Sequence, residues 1–227
     1  EDPEKDIQLY INSPGGGVAI SQEIYDAIRR ASEEKPVVAS MASVAASGGY
    51  YVACGADRIV ANPGTITGSI GVIFQFHTFG ELMNKVGIGT ETVKSGELKD
   101  VGSISRKMTN KERLMLKSVV MDTYEQFVQV VADAREKKPE EVYPLADGSI
   151  YTGQQAYNLG LVDDLGGLKE AVDEAAQMAG ISGEPRVIRP RKREKIGIFD
   201  LIGGLFHGIP QQVNEQLSMP ELMYLYR

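Results

Sequence analysis

The sequence contains few of the residues on which metal and disulfide chemistry depend. Its 227 residues include one cysteine, Cys54, and two histidines, His77 and His207. A single cysteine forms no internal disulfide, and no Cys/His cluster has the spacing of a structural zinc site. We therefore expect no metal and no cofactor, and little acid–base chemistry that depends on histidine.

Long apolar runs and excess positive charge are also missing. No run approaches the roughly 18–20 residues that cross a bilayer, and the charged opening Glu1–Asp6 is unlike a signal peptide. The net charge of −7 predicts a surface that repels nucleic acid. The hydrophobic fraction of 42% and the charged fraction of 24% are ordinary for a globular protein with a sizeable core.

Short apolar runs alternate with helical patterns through the first two-thirds of the chain, which predicts an α/β fold. The predicted strands are Ile7–Ile11, Val37–Met41, Arg58–Ala61 and Ile70–Ile73. The shorter predicted helices are Val18–Ala31, Tyr50–Cys54, Gly153–Leu159 and Leu168–Met178. A long helix follows Thr109, which fits a capping box with Glu112. Its apolar stripe from Leu116 to Val131 predicts a face buried in the core or at a subunit interface.

The composition changes after residue 185, which predicts a domain over residues 1–185 and a tail over 186–227. Residues 186–195 hold six basic side chains against one acid. This run is typical of a solvated linker, which we favour, although attraction to anionic lipid is the alternative. The apolar stretch beyond it ends in Leu222–Tyr226, and we expect that stretch to dock on the domain or on another subunit.

Two loops of small residues follow predicted strands, where open α/β sheets place their active sites. In Ser13–Gly17, consecutive glycines leave backbone N–H groups free to bind a phosphate or a reaction oxyanion. In and beside the second loop, Ser40, Ser43 and Ser47 are all candidate nucleophiles. The N–H of Gly48 would be free to stabilise a developing negative charge. The structural alternative for Ser47 is a helix N-cap.

A serine nucleophile needs a base. His77 ends the alternating segment Phe74–His77, which predicts that it lies on the surface. A lysine can serve when burial lowers its pKa from about 10.4 towards 7–8. Lys94 and Lys99 are both candidates, and their spacing does not distinguish between them.

Six motifs, in the same order along the chain, resemble the bacterial signal peptide peptidase A family (peptidase family S49, half-length type). They are Ser13–Gly16, Ala46–Tyr51, Ala56–Ile59, Thr67–Val72, Lys94–Asp100 and Tyr151–Ala156, the last continued by Gly160–Asp163. The resemblance implies a ClpP/crotonase-type superhelix of ββα units and a serine peptidase with a Ser/Lys dyad. It also implies that the N-terminal strands and membrane anchor of the family are missing from this chain.

Transferred position by position, the resemblance assigns a role to each candidate residue. Ser47 corresponds to the nucleophile and Lys99 to the general base. Ser69 corresponds to the serine that orients the lysine amine. Gly16 and Gly48 correspond to the residues whose backbone N–H groups form the oxyanion hole.

The resemblance further implies a homo-oligomeric ring that degrades apolar peptides, such as remnant signal peptides, at the extracytoplasmic face of a bacterial membrane. Three alternatives stay open. The opening Glu1–Gly16 also resembles the ClpP protease, but Val72 occupies the position where the histidine of its Ser-His-Asp triad is expected. An inactive peptide-binding scaffold of the same fold is the second alternative. An acyl-CoA enzyme of the related crotonase type is the third.

Overall fold

A ten-residue strand, β3 (Val37–Ala46), forms the centre of the fold. The computed structural model describes residues 6–188 and the backbone of residues 223–225. Eight of the ten residues of β3 are buried, because the strand consists mainly of small and apolar residues, as is typical of parallel strands covered on both faces.

Five further strands join β3 in one sheet with the order β6-β5-β3-β4-β7, and β1 also pairs with β3. They are β1 (Ile7–Ser13), β4 (Arg58–Ala61), β5 (Ile66–Gly68), β6 (Ile150–Thr152) and β7 (Asp164–Leu165). All pairings are parallel except that of β6 with β5. The first part of β3 pairs with β4 and its last three residues pair with β5. The carboxyl ends of β3 and β5 therefore meet at one edge.

The described part of the chain contains seven α-helices. They are α1 (Val18–Ser32), α2 (Gly48–Ala53), α3 (Gly80–Lys85), α4 (Asn110–Ala134), α5 (Pro139–Val142), α6 (Gly153–Asn158) and α7 (Leu168–Met178). Among these residues, no helix is both long enough and apolar enough to cross a membrane. A separate antiparallel pair joins β2 (Gly15–Gly17) to β8 (Met223–Leu225).

Helix α4 connects the core to the irregular segment that precedes it. The predicted capping box is confirmed, since Thr109 accepts from the Glu112 N–H and Glu112 accepts from the Thr109 N–H. In the second half of the helix, Phe127 and Val131 are fully buried. The ring of Phe127 lies 5.1 Å from that of Tyr51 in α2. The C-terminal half of α4 is thereby fixed against the helix that follows β3.

The predicted α/β class is confirmed, but one predicted strand is wrong. Residues 70–72 belong to no strand and Ile73 forms only an isolated bridge, whereas the strand β5 lies earlier, at Ile66–Gly68. Thr67 is fully buried there and its hydroxyl donates to the carbonyl of Ala45 at 2.7 Å. The strand then ends because Ser69 has a φ of +50°. Most of the basic run, from residue 189 on, and most of the apolar tail lie outside the described residues.

Candidate active site

Two serines leave the sheet side by side at the carboxyl ends of β3 and β5. Ala46 and Gly68 are paired as the last residues of these strands, so Ser47 and Ser69 follow them directly. Both serines have positive φ angles, 52° and 50°. Such values are strained for a residue with a side chain, and strain of this kind concentrates at functional sites. The two serines predicted to act together therefore share one edge of the sheet.

Ser47 occupies a strand–turn–helix junction with its hydroxyl buried. The residue has no exposed surface, and its Oγ has no hydrogen-bond partner among the described residues. Ser47 does occupy the N-cap position of α2, as the structural alternative predicted, but its side chain makes no capping hydrogen bond there. A strained serine between a strand and a helix is also the geometry of the nucleophile in α/β-hydrolases. A buried hydroxyl without a partner requires an explanation, and a role as nucleophile supplies one.

The other two candidate serines lie in different surroundings. Ser40 is buried within β3, where it pairs with Tyr10 of β1. Ser43 is exposed near the end of the same strand. Neither residue has the positive φ angle of Ser47. The structure therefore favours Ser47 as the nucleophile.

Glycines allow the start of α2 to pack directly against the loop before α1. A Cβ placed on Gly48 would lie 2.6 Å from the Ser21 Oγ and 3.1 Å from the Gly16 backbone nitrogen. A Cβ on Gly49 would lie 2.7 Å from the Ser13 carbonyl oxygen. Because the distances of 2.6 and 2.7 Å are shorter than 3.0 Å, any side chain at Gly48 or Gly49 would force the contacted atoms to move. The structure thus brings Gly16 and Gly48, the two predicted oxyanion-hole residues, to the same place beside Ser47.

The strand β2, which contains Gly16, pairs with a second extended segment, β8. Residues Gly15–Gly17 pair antiparallel with Met223–Leu225, and β8 also contacts α2. A peptide that adds to an open strand edge is held by main-chain hydrogen bonds, which are largely independent of its sequence. The edge next to the candidate nucleophile can therefore hold an extended peptide. Docking of the tail on another subunit stays a prediction.

The two candidate lysines differ in their partners. The Lys94 Nζ donates to the Asp100 Oδ1 at 2.5 Å and to the Glu97 carbonyl at 3.0 Å. Lys99 is exposed in the turn that follows. Since the Ser47 Oγ has no described partner, the isolated chain does not join Lys99 to it, and the dyad stays a prediction. Lys94 is thus held in an ion pair with Asp100, whereas Lys99 has no such partner among the described residues, and the choice between the two lysines stays a prediction.

His77 is exposed, as the alternation of Phe74–His77 predicts. The rings of Phe74 and Phe76 stack on each other with centroids 4.9 Å apart. The prediction of a surface histidine is confirmed. His207 lies outside the described residues.

The sequence did not reveal the group of charges that surrounds the Lys99 turn. Arg106 contacts both Asp100 and the buried carboxylate of Glu112. Hydrogen bonds from Arg106 and from the Thr109 backbone lower the pKa of Glu112 to about 2. Hydrogen bonds from Arg106 and Lys94 hold the pKa of Asp100 well below its usual range. The only signal in the sequence was an arginine shortly before the capping box, which is not diagnostic by itself.

The chain is similar to known proteases over most of its length. Residues 29–182 match the model of a family described as "Peptidase family S49". The chain is 47% identical over 171 residues to "Putative protease slr0021" of Synechocystis sp., and the match covers 75% of this chain. It is 41% identical to "Putative signal peptide peptidase SppA" of Enterococcus faecium, over 74% of this chain. It is 34% identical to "Serine protease SPPA, chloroplastic" of Arabidopsis thaliana, over 87% of this chain.

These relatives are longer than the region that they share with this chain. The matches span 62% of the Synechocystis protein, 49% of the Enterococcus protein and 29% of the Arabidopsis protein. The matched region of the family model contains Ser47, Ser69 and Lys99, whereas Gly16 lies before it.

Proposed function

Because this chain belongs to peptidase family S49 and has the α/β fold expected of it, we propose that it is a serine endopeptidase with a Ser47/Lys99 dyad. The observation that carries the proposal is the buried, unpartnered hydroxyl of Ser47 at a strained turn beside Gly16 and Gly48. The name of the Arabidopsis relative, a serine protease, supports a serine nucleophile.

In the proposed reaction, the Ser47 Oγ attacks the carbonyl carbon of the scissile peptide bond. The uncharged Lys99 amine takes the hydroxyl proton and then gives it to the leaving nitrogen as the C–N bond breaks. Water hydrolyses the resulting acyl-enzyme ester with Lys99 again as the base. Ser69 would accept or donate a hydrogen bond that holds the amine, as its place beside Ser47 suggests.

The negative charge that forms on the carbonyl oxygen needs donors that are already in position. We propose the backbone N–H groups of Gly48 and Gly16, which the close packing of α2 against the Ser13–Gly16 loop holds together. Removing one such donor typically lowers kcat by about 10²–10³-fold. Backbone donors suit this role because they do not reorganise during the reaction.

Lys99 must lose its exposure for this chemistry to occur. An amine acts as a base only when it is uncharged, and the uncharged form requires a site that excludes water. Lys99 is exposed in the isolated chain. We propose that assembly into a homo-oligomeric ring covers it.

The proposed substrates are apolar peptides, including remnant signal peptides. The pairing of β2 with β8 supports an extended peptide at the edge of β2, and the name of the Enterococcus relative supports the class of substrate. We further propose that the protein acts at the extracytoplasmic face of a bacterial membrane. We propose no nucleic-acid partner, because the net charge is −7.

The nucleophile is tested with a fluorophosphonate probe, which phosphonylates active serines with loss of fluoride. We expect labelling of the wild-type protein, identification of the modified peptide as that containing Ser47, and loss of labelling in Ser47→Ala. Ser43→Ala is the matched control, because Ser43 lies on the same strand and is exposed. Labelling that persists in Ser47→Ala would exclude this serine as the nucleophile.

The base is tested by cleavage of an apolar fluorogenic peptide. We expect Lys99→Ala to lose nearly all turnover, whereas Lys117→Ala, which removes an exposed lysine of α4, retains it.

The exposure of Lys99 in the isolated chain favours one alternative, a peptide-binding scaffold without activity. Peptide binding without labelling of Ser47 in the intact oligomer would support that alternative instead.

A further inference from the structure

A row of charged side chains joins the turn that contains Lys99 to the first turn of α4. Arg106 lies between two carboxylates, those of Asp100 and Glu112. Its Nε donates to the Asp100 Oδ2 at 3.1 Å, and its Nη1 donates to the Glu112 Oε2 at 2.9 Å. Its Nη2 lies 2.9 Å from the Asp100 Oδ1 and also donates to the Glu112 Oε1. The planar guanidinium therefore fixes both carboxylates at two points each.

The Glu112 end of this row is anchored in the body of the protein. Glu112 is 1% exposed and accepts a hydrogen bond from the Thr109 N–H at 2.7 Å. It belongs to α4, whose second half packs in the core through Phe127 and Val131. A charged carboxylate this deeply buried needs its cationic partner. Glu112 is therefore a rigid support for Arg106.

The Asp100 end of the row adjoins Lys99 directly. The Lys94 Nζ also donates to the Asp100 Oδ1, at 2.5 Å, and the Lys99 N–H donates to the Gly96 carbonyl at 3.1 Å. The backbone on both sides of Lys99 is thereby fixed. Among the described residues, no ion pair takes up the Lys99 amine, whose side chain is left to project from the turn.

Regular structure does not hold this turn in place. Between α3, which ends at Lys85, and α4, which begins at Asn110, the described residues form no helix or strand. A catalytic group on such a segment needs side-chain contacts to keep it within about 0.5 Å of its productive position. The row of charges through Arg106 provides contacts of this kind.

We infer that Asp100, Arg106 and Glu112 are positioning residues for the base, and that they act on the reaction only through Lys99. This inference rests on the proposed function, because it presupposes that Lys99 accepts the proton of Ser47. Asp100 orients the turn, Arg106 connects it to α4, and Glu112 anchors Arg106.

The test measures kcat and KM for cleavage of an apolar peptide by the full chain. We expect Arg106→Gln and Asp100→Asn to lower kcat by about 10–100-fold, since a displacement of about 1 Å can have such an effect. KM should change by less than about twofold, because the peptide site at β2 is untouched. Asp100→Asn preserves the shape of the side chain, so it keeps the test valid if Arg106→Gln folds poorly. Compared with Arg106→Gln, Arg106→Lys should restore part of kcat, because lysine retains the positive charge but cannot make the two-point contact with each carboxylate.

Lys107→Gln is the matched control for Arg106→Gln. Lys107 is the adjacent cation and forms an ion pair with Glu81. The side chains of Lys107 and Glu81 are 83% and 79% exposed. We expect this variant to retain the kcat and KM of the wild type. Folded Arg106→Gln and Asp100→Asn variants with unchanged kcat would overturn the inference.

A double-mutant cycle separates positioning from a merely structural role. The rate of Ser47 labelling by the fluorophosphonate probe should fall in Arg106→Gln, but it should fall no further when Arg106→Gln is added to Lys99→Ala. An equal additional loss in the Lys99→Ala background would overturn the inference while leaving the dyad intact. Full activity of Lys99→Ala itself would instead overturn the proposed function.

Discussion

The backbone N–H of Ser47 donates to the carbonyl oxygen of Gly68 across 2.8 Å. This bond continues the pairing of β3 with β5 by one residue beyond Ala46 and Gly68. Ser47 directly follows β3 and Ser69 directly follows β5, so this bond fixes the positions of the two serines relative to each other. The position of the candidate nucleophile depends on the end of a neighbouring strand as much as on its own.

Gly68→Ala should destabilise this edge of the sheet. Gly68 has a φ of +77°, and an added Cβ would lie 2.5 Å from the Tyr151 ring and 3.0 Å from the Ser149 carbonyl oxygen. The strained backbone alone costs about 1–3 kcal/mol of unfolding free energy, and the contacts add to it. Gly64→Ala is the control, because a Cβ there meets nothing within 4 Å and needs no positive φ. Equal denaturant midpoints for the two variants would contradict the prediction.

Gly48→Ala should reduce turnover more than it reduces stability. The new methyl group would press against the Ser21 hydroxyl and lie 3.1 Å from the Gly16 nitrogen. Displacing the Gly16 loop would separate the two backbone donors, and we expect kcat to fall by about 100-fold. Gly89→Ala, where the added Cβ meets nothing within 4 Å, should behave as the wild type. Steady-state kinetics on an apolar peptide provide the measurement, and a Gly48→Ala kcat within about twofold of the wild type would refute the prediction.

The ion pair of Arg135 and Asp163 should contribute to stability at neutral pH. The guanidinium donates to both carboxylate oxygens at 2.9 and 2.7 Å and to the Gly160 carbonyl at 2.9 Å. The side chains are only 10% and 17% exposed. Asp163→Asn breaks a largely buried pair, so we expect a loss of about 3 kcal/mol in unfolding free energy at pH 7. Asp173→Asn, at an exposed pair with Lys169, should change it by less than about 0.5 kcal/mol.

The same pair predicts a dependence on pH. Burial alone would raise the pKa of Asp163, but hydrogen bonds from Arg135 and its positive charge outweigh burial and lower that pKa. A carboxyl with a lowered pKa in the folded state stabilises the protein above its ordinary pKa of about 4. This contribution is lost as the pH falls through the lowered value. The difference in stability between the wild type and Asp163→Asn should therefore shrink below about pH 4 in urea titrations, and a constant difference would argue against the assignment.

Local patterns predicted the elements whose causes are local. The capping box of Thr109 and Glu112 located the start of α4, and the predicted helix Leu168–Met178 matches α7 at both bounds. The loop around Ser47 was recognised from its small residues. Each of these features depends on residues a few positions apart, whose interactions a sequence displays directly.

Features that depend on distant residues could not be predicted from the sequence alone. Strand β5 was misplaced because its position is fixed by the bond from Thr67 to Ala45 and by its pairing with β3. The positive φ of Ser69 ends the strand at a residue that local propensity does not distinguish. The hydrogen bonds from Arg106 to Asp100 and Glu112 were missed for a different reason. They join residues only six positions apart, but residues 86–109 form no helix or strand whose periodicity would have indicated the contacts.

Removing residues 221–227 should improve the cleavage of peptides if the edge of β2 is the substrate site. Met223–Leu225 pair with Gly15–Gly17, so this segment of the chain and an extended substrate would compete for the same main-chain groups. We expect KM to fall in the truncated protein while kcat stays unchanged, since the segment contains no proposed catalytic group. The mass of the assembly should be measured alongside, because we also predict docking of the tail on another subunit. An unchanged mass after deletion of residues 186–227 would count against that docking. An unchanged KM after deletion of residues 221–227 would place the substrate away from β2.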